Sequence, residues 1–469
     1  MANQELAIRE TEIPGLLILD LVVHGDSRGW FKENWQREKM IALGLPDFGP
    51  VQNNMSYNNE TGVTRGMHAE PWDKLVSVAS GKVFAAWVDL REGPSFGKVV
   101  TVEMGPETSV FVPSGVANGY QTLVPDTVYS YLVNEHWSAD AKDSYSFVNL
   151  ADETANIPWP IPLSNAIISD ADKAHPRLTQ AKLLPAKRTL IVGSGGQLGR
   201  ALSAILPDAD KVDFPDFDLT KTETLVGINW SNYDTIINAS AYTAVDLAET
   251  EQGRRDAWAV NVAGVAKLCE IARAHRLTLV HVSSDYVFDG TAAEHFEDEP
   301  FSPLGVYAQT KAASDALVAL VPKHYIVRTS WVIGEGKNFV RTMESLADRG
   351  ISPTVVADQY GRLTFTTDLA AGIVHLLDSR APYGTYNLSN GGPVQSWADI
   401  AKQVFALSGR NPDDVTPVTT AEYYGQQTAS ATPISPRPTH SALNLGKIEA
   451  TGFTPADAQT RLAEYLAEG

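Results

Sequence analysis

Cysteine is almost missing: Cys269 is the only one among 469 residues. An internal disulfide is therefore excluded, which suits a reducing compartment. Cys269 sits in the apolar helical stretch Val265-Ala-Lys-Leu-Cys-Glu-Ile-Ala and is expected to be a small core residue. No run reaches the roughly 18–20 apolar residues that a membrane span needs. The first ten residues, MANQELAIRE, have no apolar signal core, so a soluble, cytoplasmic protein is expected. Positive charge is also short: 37 Lys and Arg stand against 56 Asp and Glu, a net charge of −19. Such a chain is a poor candidate for gripping nucleic acid or an anionic membrane. A small anionic substrate remains open, because a few basic residues can line one pocket. Internal repeats and low-complexity tracts are absent.

The chain is too long for one core, and its two parts differ in rhythm. Up to about residue 180, short strand patterns such as Leu75-Val-Ser-Val-Ala, Val83-Phe-Ala-Ala-Trp-Val-Asp-Leu and Thr127-Val-Tyr-Ser-Tyr-Leu-Val alternate with turn signals such as Gly93-Pro94 and Gly105-Pro106. That spacing predicts an all-β sandwich or barrel. From about Thr189 the pattern becomes strand, glycine-rich turn, helix, strand. Thr189–Val192, Thr235–Ala239, Thr278–Val282 and Tyr325–Thr329 are the buried strand candidates, with a helical pattern over 257–268. This predicts a parallel sheet covered by helices, an α/β Rossmann fold. The expected domains are 1–183 and 187–469, with 175–188 as the linker.

In the second domain the string 193–200, Gly-Ser-Gly-Gly-Gln-Leu-Gly-Arg, follows a strand and opens a helix. Gly193, Gly196 and Gly199 allow a tight turn, close approach of a pyrophosphate, and helix–strand packing. Gly195, Gln197 and Leu198 complete this candidate cofactor cradle. Asp213, twenty positions beyond Gly193, is a candidate ribose contact, and Asp218 with Leu219 a candidate adenine contact. Tyr307 and Lys311 are i and i+4 on a helical pattern and share a face. A lysine charge beside a tyrosine favours the tyrosinate and is expected to lower its pKa. The pair can then deliver a proton to a carbonyl oxygen while hydride reaches the carbon. Ser284 lies 23 residues upstream at a strand end and can bond the same oxygen.

These motifs resemble the extended short-chain dehydrogenases/reductases, and specifically the dTDP-4-dehydrorhamnose reductases. Asn238-Ala-Ser-Ala-Tyr-Thr-Ala-Val-Asp, Val282-Ser-Ser-Asp-Tyr-Val-Phe-Asp-Gly and Val327-Arg-Thr-Ser-Trp-Val-Ile-Gly carry the resemblance further. It implies a Rossmann domain with a smaller substrate-binding lobe, and Ser284, Tyr307 and Lys311 as the catalytic triad, with Ser where the family usually has Thr. It also implies Ala239, Ser240 and Ala241 along the cofactor, and Thr243, Val245, Tyr286 and Trp331 beside the sugar. A tryptophan after a buried strand can equally be a packing residue. Arg437 matches loosely a family position near the nucleotide diphosphate. The cofactor is NADPH or NADH, with Asp213 and Arg200 pulling the choice in opposite directions. Some relatives use Mg²⁺, for which no decisive ligand set is present.

In the first domain Arg28, Glu33, Gln52, Asn54, Arg65, His68, Lys74, Asn118 and His136 sit where alternation points them into a barrel. Such a mixture reads as a polar pocket. His68 lacks a His-x-His partner, so no metal is expected. The stretches Gly25-Asp-Ser-Arg-Gly-Trp-Phe-Lys-Glu, Gly62-Val-Thr-Arg-Gly-Met-His and Ile157-Pro-Trp-Pro are similar to dTDP-4-dehydrorhamnose 3,5-epimerases over roughly 10–178. The resemblance implies a cupin-like (jelly-roll) barrel that dimerises. It makes His68 the base, oriented by Asp172, with Lys74 stabilising an enolate and Arg28 and Arg65 holding the diphosphate. Three positions depart from the family: His136 stands at the acid tyrosine, Asn118 replaces a histidine, and Ala69-Glu70 replaces an aromatic-Gln pair.

Together the resemblances imply one chain that epimerises a dTDP-linked 4-keto-6-deoxy sugar and then reduces its ketone to dTDP-L-rhamnose, as a homodimer. The alternatives are a reductase whose barrel only binds nucleotide sugar and dimerises, or a related deoxysugar product.

Overall fold

A computed structural model describes residues 5–137, 144–425 and 433–468. The chain divides into two compact units, Met1–Ala186 and Lys187–Gly469.

The first unit packs two antiparallel sheets face to face. One runs in the order Ala7–Glu10, Leu17–Asp20, Thr108–Val112, Lys74–Ser80, Thr127–Val133, Gln52–Asn58. The other runs Ser146–Phe147, Thr64–Ala69, Val116–Thr122, Val83–Asp89, Val99–Met104. This is the jelly-roll barrel expected from the strand rhythm. Period-2 alternation sends Val76, Val78, Val83, Ala85, Trp87, Tyr120 and Tyr129 into the space between the sheets. The outer face of the first sheet buries Leu17, Leu19, Leu75 and Phe111 under Met40 of the helix Arg37–Ala42. The outer face of the second buries Met67, Ala69, Phe84 and Ala117 under 148–184. That cover includes most of the expected linker. Leu178 and Leu184 are buried, and Leu184 bridges to Arg91, so 175–184 belongs to the barrel.

The second unit is a six-stranded parallel sheet in the order Asp210–Val212, Arg188–Val192, Tyr233–Asn238, Thr278–Ser284, His324–Thr329, Gly384–Asn387. All four strand candidates are present. The order reverses between Arg188–Val192 and Tyr233–Asn238, and crevices for ligands open at such switch points. The helical pattern over 257–268 lies inside a longer helical run with one wide π turn, Ala259–Gly264, between Glu251–Trp258 and Val265–Ala274. Cys269 is buried in the adjoining core, and burial pushes its thiol up to about 12. A smaller lobe packs the helices Phe339–Asp348, Trp397–Leu407 and Ala458–Ala467 around Val340, Val404, Phe405 and Leu462. Among the described residues no helix is long and apolar enough to cross a membrane.

One buried ion pair ties the helix Val306–Val318 to the sheet. Arg328 Nε donates to Asp315 Oδ2 at 2.9 Å, with side chains 4% and 0% exposed. The guanidinium also covers Phe288 and Phe301. Removing one partner of such a pair strands the other charge in the core. Arg328→Met is therefore expected to cost about 3–5 kcal/mol. Calorimetry of the full chain should show the loss in the transition of the second unit, with that of the barrel unchanged.

Candidate active sites

At the switch point of the second unit lies a cleft of about 810 Å³. Its floor is the glycine turn. Gly193 has φ +84°, and a Cβ there would meet Ser240 N at 2.7 Å. A Cβ on Gly199 would lie 2.0 Å from the Gly193 carbonyl oxygen. The chain thus brings helix, turn and neighbouring strand end into contact that only glycine allows. Gly196 caps the helix Gln197–Ile205, and Gly196, Gln197 and Leu198 bring the start of that helix to the cleft wall, where helix N–H groups suit an anion. Gly193, Gly196, Gln197, Leu198, Asp213, Asp218, Leu219, Ala239, Ser240 and Ala241 line the cleft, as do Thr243, Val245, Tyr286 and Trp331. Gly195 and Gly199 are not in its lining; Gly195 is exposed and Gly199 is buried against the turn. Asp213 also braces that turn, because its Oδ2 accepts from Gly195 N at 2.7 Å and its Oδ1 from Phe214 N at 2.9 Å. Trp331, with φ +45°, stacks on Trp397 at 3.8 Å while lining the cleft, so it both packs and faces ligand space. Arg437 pairs with Asp246 at 2.8 Å.

Ser284, Tyr307 and Lys311 meet at one end of this cleft. Lys311 is 2% exposed; its Nζ donates to the Val282 carbonyl at 2.8 Å and lies 3.3 Å from His281 Nε2. Burial lowers the ammonium to about 8. Tyr307 departs from expectation. Burial, reinforced by the Asp285 charge, pushes its phenol up to about 12, against a smaller lowering from its bond with Ser284. Burial outweighs the other influences at rest, and the Tyr307 phenol is protonated.

Three residues around the triad carry no local sequence signal. Asp285 is fully buried and burial raises it to about 6; its Oδ1 accepts from Ser284 Oγ at 3.0 Å. Asn261, in the π turn, accepts from Tyr242 N at 2.8 Å, donates to Tyr242 O at 3.1 Å and bonds Thr310. That fixes the loop carrying Thr243. Asn238 accepts from Ser240 Oγ at 2.7 Å and fixes the loop's start.

The barrel gathers a second cluster. His68 Nε2 lies 2.9 Å from Asp172 Oδ1. Burial raises the Asp172 carboxyl, but bonds from His68 and Ser169 outweigh it and the carboxyl sits below its usual range. Lys74 is buried and paired with Glu70. His68 and Arg65, three apart, share a face because the strand bulges: Asn118 opposes His68 while Tyr120 opposes Arg65. Arg65 donates to Asn58 Oδ1 at 3.0 Å, and Asn118 accepts from Tyr129 at 3.1 Å. Gln52 donates to Asn54 at 2.8 Å, and both share the inward side of their strand with Ser56.

Three expected pocket residues stand elsewhere. Arg28 is on the hairpin Val23–Asp26/Gly29–Lys32, its side chain 88% exposed and paired with Asp26. Glu33 is exposed just beyond and bonds Lys39 at 2.7 Å. Arg28 is at the turn of a hairpin separate from the two sheets and Glu33 is just past it, so alternation there does not mean inward. His136 is exposed, past the end of the strand Thr127–Val133. Tyr131, on that strand, is absent from the residues that the sequence singles out. It shares the inward face with Tyr129, opposite Val76, and lies in the field of Glu70 and Arg65. Burial raises its phenol and keeps it protonated. The alternation Tyr129, Tyr131, Val133 is the signal that could find it.

The family model described as RmlD substrate binding domain matches residues 187–469, and that of dTDP-4-dehydrorhamnose 3,5-epimerase matches 10–180. The chain belongs to both families, one per unit. The RmlD-family unit is 39% identical to dTDP-4-dehydrorhamnose reductase of Aggregatibacter actinomycetemcomitans over 300 residues, 60% of this chain and 98% of that relative. A solved dTDP-4-dehydrorhamnose reductase of Bacillus anthracis in complex with NADP matches with 31% identity and a TM-score of 0.55, over 61% of this chain and all of that one. The epimerase-family unit is 51% identical to the RmlC homolog of Streptococcus pyogenes over 191 residues, 39% of this chain and 96% of that relative.

The glycine contacts give a direct check of the cleft. Gly199→Ala forces a Cβ into the Gly193 carbonyl and is expected to destabilise the RmlD-family unit by about 1–3 kcal/mol. Thermal unfolding followed by calorimetry measures it.

Proposed function

We propose that the chain is a bifunctional enzyme of dTDP-L-rhamnose synthesis. The barrel epimerises dTDP-4-dehydro-6-deoxy-D-glucose at C3 and C5, and the RmlD-family unit reduces the C4 ketone with NADPH or NADH. The observation that carries this reading is the presence, on one chain, of a His68–Asp172 pair in an epimerase-family barrel and of Ser284, Tyr307 and Lys311 lining the cleft of an RmlD-family unit.

C3 and C5 flank a ketone, so a positioned base can remove their protons. With Asp172 accepting at Nε2, the His68 proton sits there and Nδ1 offers its lone pair. Lys74 stabilises the enolate charge. Inversion requires the proton to return from the other side of the sugar carbon. Tyr131 stands on the opposing sheet with its phenol protonated, and it takes the role expected of His136. Arg65, Gln52 and Asn54 hold the substrate.

In the RmlD-family unit the cradle over 193–199 and the helix start fit a dinucleotide pyrophosphate, because glycine at 193 and 199 lets turn, helix and strand end close up beneath it. When bound, the nicotinamide supplies hydride. Tyr307 donates its proton to the ketone oxygen, Ser284 orients that oxygen, and the Lys311 charge favours the tyrosinate left behind. Thr243, Val245, Tyr286 and Trp331 position the sugar.

The partner is a second copy of this chain. The edge strand Gln52–Asn58 turns Met55 and Tyr57 outward, 68% and 61% exposed, and the hairpin adds Trp30 and Phe31. A sheet edge with an apolar flank suits pairing with its own copy.

The test supplies full-length protein with the 4-keto-6-deoxy sugar and NADPH. Wild type should form dTDP-rhamnose. His68→Ala should form none until a separate epimerase is added, and Tyr307→Phe should still exchange solvent deuterium into C3 and C5. Tyr131→Phe should slow inversion, read as dTDP-rhamnose formed, by about 10²–10⁴-fold. Wild-type product without any C3 or C5 exchange would leave the barrel a binding module. The ammonium of Lys311 is lost as pH rises through about 8. Reductase kcat/KM, which reports free-enzyme groups, should fall above that pH.

A further inference from the structure

His175 stands beside the His68–Asp172 pair without being needed for it. Its Nε2 lies 3.8 Å from the same Asp172 Oδ1 that His68 Nε2 approaches at 2.9 Å. The three donor atoms lie within 4.8 Å of one another. The rings of His68 and His175 are 5.2 Å apart and cross at 77°. His175 is fixed by stacking on Phe147 at 4.7 Å, and Phe147 also edges His68 at 5.5 Å. Two imidazole nitrogens and a carboxylate oxygen thus converge from a strand and a short helical turn. Zinc binds such ligands at about 2.0–2.2 Å, which places tetrahedral donors roughly 3.3 Å apart. The two spacings to Asp172 Oδ1, 2.9 and 3.8 Å, bracket that value. The His68 side chain is 38% exposed, so a further ligand can reach the cluster.

We propose that His68, Asp172 and His175 bind a divalent transition cation, with zinc as the best-fitting class, and that occupancy switches off His68 as a base. The second half rests on the epimerase reading; the binding site does not. Without metal, Asp172 holds the His68 proton on Nε2 and leaves the Nδ1 lone pair for substrate. Metal on Nε2 moves that proton to Nδ1, with no net proton gained or lost. His68 then presents a donor where a base is required. The sugar pocket is not blocked, so zinc lowers kcat for exchange and leaves KM for the nucleotide sugar nearly unchanged.

The test uses full-length protein stripped with EDTA, titrated with zinc chloride by calorimetry, and assayed separately for C3 and C5 deuterium exchange without NADPH. His175→Phe keeps the ring on Phe147 and removes the ligand, and His175→Ala is the second variant. Wild type should bind one more zinc per chain than either variant, or bind it at least tenfold tighter. Zinc should suppress exchange in wild type, and at least tenfold more should be needed in His175→Phe. Equal zinc binding by wild type and both variants overturns the site. Tight wild-type binding with unaffected exchange overturns the switch. If no protein exchanges deuterium, the epimerase reading fails and the calorimetry still decides the site.

Discussion

The catalytic end of the RmlD-family unit depends on holding one ammonium out of water. Lys311 is buried, and its charge is satisfied by the Val282 carbonyl and by the His281 ring. That requirement fixes the distance between the helix Val306–Val318 and the strand Thr278–Ser284. The same helix carries Tyr307 one turn before Lys311 and Asp315 one turn after, so all three share a face. Asp315 returns negative charge to the core and is itself held by Arg328 from the next strand. The strand that anchors Lys311 ends in Ser284, which therefore arrives beside Tyr307. A proton donor, a hydroxyl and a buried cation are placed by one helix–strand contact, and the glycine turn brings the nucleotide cleft to it.

In the barrel the corresponding constraint is that two sheets face each other across a narrow interior. Inverting a carbon centre needs chemistry from two sides, and a sandwich supplies two sides. His68 comes from one sheet and Tyr131 from the other, and Lys74, on the sheet of Tyr131, pairs with Glu70 just past the strand of His68. The bulge opposite Gly119 lets Arg65 and His68 work on one face. The cover strand Ser146–Phe147 then sets Phe147 against both His68 and His175. One ring thus holds both imidazoles in place.

Regular periods make much of the fold legible in the sequence. The four buried parallel strands, the barrel strands over 74–89 and 127–133, and the i, i+4 pairing of Tyr307 with Lys311 all rest on repeats of 2 or 3.6 residues. Misplaced residues sit where a period breaks. Arg28 lies at the turn of a hairpin separate from the two sheets and Glu33 just past it, His136 lies beyond a strand end, and the 175–184 segment is apolar enough to pack although it reads as a linker. Tyr131 obeys its period, but the family resemblance points past it to His136. The raised Tyr307 phenol is invisible to spacing, because burial depends on the whole fold. His175 becomes a neighbour of His68 through tertiary contact across more than a hundred residues, which no local pattern records.

The central claim is that both steps occur on one chain, protons being exchanged in the barrel and hydride delivered in the cleft. The most direct measurement is proton NMR of the dTDP-sugar formed by the full-length protein from unlabelled substrate and unlabelled NADPH in deuterium oxide. The account predicts dTDP-rhamnose with deuterium at C3 and C5 and hydrogen at C4. A product with hydrogen retained at C3 and C5, or with deuterium at C4, would contradict it.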